Sequence, residues 1–182
     1  VTPEWVFRLG AKCTTKDICY DYNGNQYKKI QNIPEWTDKI FLEKLNNFIN
    51  ALGNRYNGNP NIAFIDIRSY GNWGEQHLGV IGGEDITSEQ LKELYIKPYI
   101  DAFPDTLLVN PWGQTEYNDT YKWAIAQGVT MRRDGIFKVS DGSECLIAYG
   151  YLPTIYEYVY DYNSLKLNNL WNTENLLEYV NI

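Results

Sequence analysis

Apolar residues recur every three or four positions between Thr37 and Tyr56, a spacing that predicts an amphipathic helix. The apolar face carries Phe41, Leu45, Phe48, Ile49 and Leu52. The helix is predicted to stop at the Asn57-Gly58-Asn59-Pro60 stretch. Residues 61–71, NIAFIDIRSYG, follow as a short apolar run typical of a strand buried on both faces. A helix followed by such a strand is half of a βαβ unit.

The same alternation continues along the chain. Thr87 and Gln90 predict a capping box that starts a helix ending near Phe103-Pro104, and Pro98 should kink its last turn. The pattern further predicts strands at 105–113, 129–137 and 152–162, helices at 118–128 and 173–182, and a short helix or turn at 140–150. A fifth strand is predicted near Trp5 to Ala11.

Strands separated by helices indicate a parallel sheet with helices outside it. An open, doubly wound sheet would need a glycine-rich phosphate turn, but SYGNWGE carries Trp73 and Glu75 where a dinucleotide needs bare backbone. The pattern therefore favours a closed (β/α)8 TIM barrel. Because a complete barrel takes about 200 residues or more, residues 1–182 are predicted to be a single incomplete barrel domain covering roughly strands 3 to 7. Strands should be missing at both ends.

Composition and charge exclude several function classes. The net charge is -7, and the Lys and Arg residues are scattered, so no basic stripe is present to bind nucleic acid. No apolar run is long enough for a membrane span. His and Cys residues do not have zinc-site spacing, and neither a metal nor a cofactor is predicted. Cys13 and Cys19 fit either a short-loop disulfide or two free thiols, and spacing alone leaves both open.

Chemistry in a parallel barrel is expected where the strands end, at one mouth. The predicted strand ends carry carboxylates, indoles and hydrogen-bond donors. The residues concerned are Arg68, Tyr70, Asn72, Trp73, Glu75, His77, Asn110, Trp112, Arg132, Arg133, Asp134 and Glu157. This combination suits a glycosidase active site, and outside glycosidases the same set could serve as a polar binding site.

Cleavage of a glycosidic bond needs two carboxyl groups on either side of the bond. Glu75 lies among Gly and Trp residues, a setting that could keep it protonated as an acid, although it could also be an incidental loop carboxylate. Glu157 interrupts the aromatic strand TIYEYVY, where a charge is costly unless it faces a polar cavity. The alternative for Glu157 is the solvent side of an edge strand.

Other residues at the predicted strand ends have candidate supporting roles. Trp73 and Trp112 could stack on a sugar ring or form a lid over the barrel. His77 could tune Glu75 or be structural. One of the two adjacent arginines should face the site, and Arg133 could hold Glu157 ionised, bind an acidic sugar, or pair with Asp134 or Asp66.

The block PEWTDKIFLEKLNNFINALGNRYNGNPNIAFIDIRSYGNWGEQH resembles the central part of bacterial glycoside hydrolases of clan A, including proteins similar to β-galactosidases and related domains of unassigned function. The stretches VNPWG, GVTMRRDGIF, PTIYEYV and WNTENLLEYV resemble later strands of the same barrels. The resemblance implies that Glu75 is the acid/base and Glu157 the nucleophile of a retaining enzyme. The chain departs from the clan at Gly74, where an Asn is usual, so Asn72 or His77 would contact the sugar 2-hydroxyl.

These observations predict a retaining glycoside hydrolase acting on a carbohydrate. Two alternatives remain: a catalytically inactive carbohydrate-binding barrel, and a non-glycosidase barrel enzyme acting on a sugar acid. A secreted or periplasmic location is the expectation for an enzyme that degrades polymers. The sugar, its linkage and exo or endo action depend on loops and are not predicted.

Overall fold

The computed structural model describes residues 2–22, 25–112, 117–136, 153–158 and 161–174, without the side chains at 22, 133–136, 156 and 158. The helices in this part of the chain are α1 (Glu4–Arg8), α2 (Lys39–Tyr56), α3 (Ser88–Leu91), α4 (Lys97–Ala102), α5 (Asn118–Ala126) and α6 (Tyr162–Leu167). The strands are β1 (Cys13–Tyr22), β2 (Asn25–Pro34), β3 (Ile65–Asp66), β4 (Leu108–Pro111), β5 (Thr130–Ile136) and β6 (Ile155–Tyr158).

Strands β3 to β6 form a parallel sheet in the order β3-β4-β5-β6. Its centre is closed off from water, since every residue of β4 is buried. Strands β4, β5 and β6 each lie within a predicted strand but are shorter than predicted. The predictions covered residues 105–113, 129–137 and 152–162. The predicted strand at 61–71 is reduced to the two residues of β3.

The predicted (β/α)8 barrel is wrong. The described residues form this four-stranded parallel sheet and a separate two-stranded antiparallel sheet, with no eight-fold pattern of strands and helices. Alternating helices and buried strands specify that neighbouring strands run parallel, but an open sheet and a closed one satisfy that alternation equally well. Residues 13–34 also break the alternation, because they form a hairpin where a barrel would place a strand and a helix.

The hairpin consists of β1 and β2, which pair along their whole length from Cys13 opposite Pro34 to Tyr22 opposite Asn25. The fifth strand predicted near Trp5 to Ala11 is wrong, since helix α1 occupies residues 4–8. Cys13 and Cys19 are free and exposed thiols. They lie six residues apart on one extended strand, about 20 Å apart, so they cannot form the disulfide that spacing left open.

The predicted helices agree closely with the structure where it describes them. Helix α2 begins after Asp38, whose carboxylate caps the amides of Ile40 and Phe41. Helix α3 begins at the predicted capping box of Thr87 and Gln90. Two further predictions lie outside the described residues. They are the short helix or turn at 140–150 and most of the last predicted helix, at 175–182.

Just before Pro98, where a kink was predicted, a π-helical turn spans Lys92–Ile96 between α3 and α4. The amide of Lys97 bonds the carbonyl of Lys92, five residues back, where an α-helix would bond four residues back. Because proline has no amide hydrogen and its ring clashes with the carbonyl four residues earlier, a wider turn before Pro98 accommodates the ring without ending the helix.

One apolar core joins the helices to the parallel sheet, and its largest fully buried side chains include Tyr70, Tyr95 and Tyr121. Burial raises the pKa of Tyr70 and of Tyr95 far above the ordinary tyrosine value, and a hydrogen bond to Asp85 adds to the effect at Tyr70. These phenols are therefore neutral hydrogen-bond donors. Among the helices of the described residues, none has the length and apolar character needed to cross a bilayer.

Candidate functional site

The segment between β3 and residue 77 makes a tight turn that presents several of the predicted residues. A short 3-10 turn spans Asn72–Gly74. Gly71 and Gly74 have φ angles of +79° and +77°, and a Cβ on Gly74 would lie 2.7 Å from the carbonyl carbon of Arg68. Only glycine fits a left-handed position packed this closely on backbone. The turn therefore depends on its glycines to bring Trp73 and Glu75 next to the end of β3.

Glu75 is held by two arginines on one oxygen. Its Oε1 accepts a hydrogen bond of 2.7 Å from Nη1 of Arg68 and one of 3.3 Å from Nη2 of Arg132. The side chain of Glu75 is 19% exposed. A charge-assisted hydrogen bond of this length is among the stronger polar contacts in a protein, so the position of the carboxylate is well fixed.

Arg132 on β5 links the two predicted catalytic carboxylates. Its Nη1 donates a 2.7 Å hydrogen bond to Oε2 of Glu157 on β6, while its Nη2 binds Glu75. Its Nε lies 3.6 Å from Oδ2 of Asp66, so the side chain reaches from β5 past β4 to β3. The side chain of Arg132 is only 6% exposed, whereas that of Glu157 is 59% exposed. The carboxylates of Glu75 and Glu157 thus lie on either side of one buried guanidinium.

The charges of this cluster nearly cancel. Arg68 also binds Asp66, through a 2.7 Å hydrogen bond from Nε to Oδ2. Burial lowers the pKa of Arg68, but the hydrogen bonds and charges of Asp66 and Glu75 outweigh burial and raise it above the ordinary value. Among the side chains that the structure describes here, three carboxylates therefore face two permanent cations. We call this group of Asp66, Arg68, Glu75, Arg132 and Glu157 the carboxylate cluster.

His77 stands beside the second oxygen of Glu75. Its Nε2 is 3.7 Å from Oε2 of Glu75, and its Nδ1 accepts a 3.3 Å hydrogen bond from the amide of Gly79. Because Nδ1 is the acceptor, the neutral ring carries its hydrogen on Nε2, facing Glu75. The imidazole ring also contacts Trp73, with ring centres 5.9 Å apart.

Three of the predicted sugar-binding residues lie inside the protein. Asn110 is fully buried, and its amide exchanges hydrogen bonds of 2.6 and 3.2 Å with that of Gln76. Asn72 is buried, and its Oδ1 accepts from the amide of Val80 at 3.0 Å. Trp112 is buried against Tyr121. These residues position the turn and the strand ends, and none of the three presents its side chain to solvent.

Trp73 has the opposite placement. Its side chain is 58% exposed, its φ angle is +49°, and its ring meets the edge of Tyr20 on β1 with centroids 6.1 Å apart. A bulky residue in the left-handed region costs about 1 to 2 kcal/mol. Backbone strain of this kind concentrates at functional positions. The side chains of Arg133 and Asp134 lie outside the described residues, and their backbone pairs with Tyr156 and Glu157 in the sheet.

Four members of the site were not predicted in their observed roles. Arg132 is bound to Glu157, a role predicted from sequence for Arg133, whose side chain lies outside the described residues. The signal in the sequence was the alternation of polar Thr130 and Arg132 around apolar Met131, which assigns Arg132 to the polar face. Asp66 and Arg68 share a face by the same rule. Gln76 gave no signal, because its role depends on a backbone with φ of +60°.

Comparisons with known proteins neither extend nor restrict these observations: no protein family, no curated protein and no solved structure matches the chain. Within the described residues, no three His, Cys, Asp or Glu side chains are grouped so that they could hold a metal ion.

Proposed function

We propose that the carboxylate cluster is the active site of a retaining glycoside hydrolase, with Glu75 as acid/base and Glu157 as nucleophile. One observation carries the proposal. Two glutamates, one in the turn after β3 and one on β6, bind neighbouring nitrogens of the same guanidinium. Retaining glycosidases use two carboxyl groups about 5 to 5.5 Å apart, and two carboxylates that share one guanidinium are close enough to act on one sugar ring.

The surroundings of each glutamate support this assignment of roles. Glu157 is largely exposed and binds Nη1 of Arg132 through Oε2. Its Oε1 would approach the anomeric carbon. Arg132 would orient this nucleophile. In Glu75, Oε1 already accepts from two arginines, so the proton for the leaving group would be carried on Oε2, the oxygen next to His77.

The reaction would proceed in two balanced steps. Glu157 forms a bond to the anomeric carbon while the glycosidic C–O bond breaks, and Glu75 gives its proton to the departing oxygen. Glu75 then takes a proton from a water molecule, whose oxygen attacks the same carbon and releases Glu157. The exposed indole of Trp73, in contact with His77, offers an apolar face for the sugar ring beside this pair.

Carbohydrate binding without cleavage is the second candidate, and one observation favours it. Oε1 of Glu75 accepts hydrogen bonds from both Arg68 and Arg132. Such contacts suit a carboxylate that acts only as a hydrogen-bond acceptor better than one that must donate a proton. In that case the cluster would hold sugar hydroxyls through Glu75 and Glu157 and perform no chemistry.

Covalent labelling of the active site distinguishes a glycoside hydrolase from a carbohydrate-binding protein. The full chain is incubated with a panel of 2-fluoro aryl glycosides, and the modified residue is located by mass spectrometry. We expect a glycosyl adduct on Glu157, and no turnover of the parent aryl glycosides by Glu157→Gln. The matched control Glu84→Gln changes an exposed glutamate outside the cluster and should keep full activity. Unchanged hydrolysis by Glu157→Gln rejects the nucleophile, and sugar binding without any adduct favours the binding function.

A further inference from the structure

A cavity of about 600 Å³ adjoins the carboxylate cluster on the side of the hairpin. Its walls come from α1, both hairpin strands, α2 and the segment 68–74. Arg68 and Trp73 connect the cavity with the carboxylate cluster, because both line the cavity. Arg68 also binds Glu75, and Trp73 also contacts His77 beside Glu75. The volume lies within the range of small-molecule sites, which is about 300 to 1,000 Å³.

Aromatic side chains on the cavity wall remain accessible. Trp5, Phe48 and Trp73 are 47%, 56% and 58% exposed, although large apolar side chains are usually covered in a folded domain. Two further aromatic residues, Tyr20 and Trp36, line the same space. Accessible aromatic faces around one cavity suit the apolar faces of sugar rings.

The polar lining indicates a neutral ligand. Of the two cations in the wall, Arg68 is paired with Asp66 and Glu75, and Lys44 is paired with Glu43. Each cation therefore has a neighbouring carboxylate that offsets its charge, which favours a neutral ligand over an anionic one. Uncharged hydrogen-bonding groups complete the wall, among them the hydroxyl of Thr2 and the amide of Gln31. Amides that can both donate and accept match sugar hydroxyls.

We propose that this cavity is a subsite for a neutral oligosaccharide, which would hold the sugar units next to the one bound at the carboxylate cluster. Trp73 is the shared platform between the two. The strained φ of +49° at Trp73, fixed between Gly71 and Gly74, holds its indole at this border. The choice of a sugar as ligand rests on the proposed function, whereas the position, size and neutrality of the subsite rest on the cavity itself.

Binding measurements with a defined probe set test the subsite. The full chain carrying Glu157→Gln, which should not degrade the probes, is applied to an array of neutral and uronate-containing oligosaccharides of one to six units. Selected hits are then titrated by calorimetry. We expect neutral oligosaccharides of three or more units to bind more tightly than monosaccharides. Adding Trp5→Ala or Phe48→Ala should weaken trisaccharide binding by about tenfold.

Phe64→Ala is the matched control for Phe48→Ala, because Phe64 is a similarly exposed phenylalanine, 42% accessible, that does not line the cavity. The affinity of the Phe64→Ala variant for the trisaccharide should stay within twofold of that of its parent. Equal affinities in the Trp5, Phe48 and Phe64 variants overturn the proposal, as does a preference for uronates. The proposal is also overturned if the cavity binds an apolar dye and oligosaccharides do not displace that dye.

The outcomes for the subsite and for the hydrolase are distinguishable. If aryl monosaccharides label Glu157 but no oligosaccharide binds more tightly than a monosaccharide, the subsite is rejected and the hydrolase stands. If Trp5→Ala and Phe48→Ala weaken oligosaccharide binding but no residue is ever labelled, the subsite stands and the hydrolase is rejected. Circular dichroism and urea unfolding of each variant verify that the fold is retained.

Discussion

Arg132 is the residue on which the geometry of the site depends. It contacts carboxylates on three different segments, Asp66, Glu75 and Glu157, while being almost completely buried. A buried guanidinium is tolerated only with such partners, because an unpaired charge in the interior is very costly. The same contacts hold the two glutamates at a fixed separation, so one residue serves both stability and the proposed chemistry.

Replacing Arg132 with alanine should therefore destabilise the protein by about 3 to 5 kcal/mol, because three carboxylates lose their shared buried cation. Arg68→Ala is the control, since the side chain of Arg68 is 34% exposed and water can replace part of its contacts; it should cost about 1 kcal/mol. Urea unfolding at pH 7 measures both. Equal losses in the two variants would contradict the special role of Arg132.

At the level of structural elements, the segment between β3 and residue 77 has most of the site's special backbone geometry. It combines two glycines and two other residues, Trp73 and Gln76, at positive φ. The glycines are visible in the sequence and indicate a turn. The positive φ angles of Trp73 and Gln76 are not visible, because those residue types disfavour the left-handed region and the surrounding packing imposes it.

Substitution of Gly74 by alanine, which adds one methyl group, tests how tightly the turn is packed. Gly74→Ala should cost more than about 2 kcal/mol, because it adds the strain of a left-handed alanine and a clash with the backbone of Arg68. Gly128→Ala is the matched control: Gly128 has a φ of +85°, but a Cβ at that position would meet nothing within 4 Å, so it should cost about 1 kcal/mol. Thermal or urea unfolding gives both values, and equal values would show that the turn can relax.

The helical segments from α2 to α5 could be predicted well from sequence, whereas α1, α6 and the hairpin were missed. Helices α2 and α3 carry their capping residues and apolar spacing within a few positions of sequence. The hairpin also left a signal, since Asn23-Gly24 separates two runs of strand-forming residues. Its strands are mostly exposed, however, and lack the apolar runs by which the buried strands were recognised.

At the scale of the whole molecule, the hairpin is attached to the rest of the chain by a few identifiable contacts. The ammonium of Lys16 on β1 donates hydrogen bonds of 2.6 and 2.8 Å to the carbonyls of Ile81 and Gly82. Ile18 on the same strand is buried in the core. Since an isolated two-stranded hairpin is marginally stable, these contacts hold the wall that the hairpin contributes to the cavity.

Lys16→Met should loosen the hairpin while the parallel sheet stays intact. Hydrogen bonds from a charged group contribute roughly 1.5 kcal/mol or more, so amide exchange in β1 and β2 should accelerate about tenfold. Exchange in β4 and β5 should not change. Lys28→Met, an exposed lysine on β2, is the control and should leave the hairpin's exchange as in the parent. Equal exchange rates in the two variants would show that Lys16 does not anchor the hairpin.

The sequence by itself determined the helical segments from α2 to α5 and the parallel relation of β3 to β6, and it singled out Glu75 and Glu157 as candidates. Each of these depends on apolar spacing, capping or residue chemistry within a short stretch. Tertiary structure decided how the elements assemble: among the described residues, a four-stranded parallel sheet with a separate hairpin, Arg132 between Glu75 and Glu157, buried Asn110 and Trp112, and an exposed Trp73. These features arise from contacts between residues far apart in the chain. Local periodicity carries no information about which of several parallel arrangements brings such residues together.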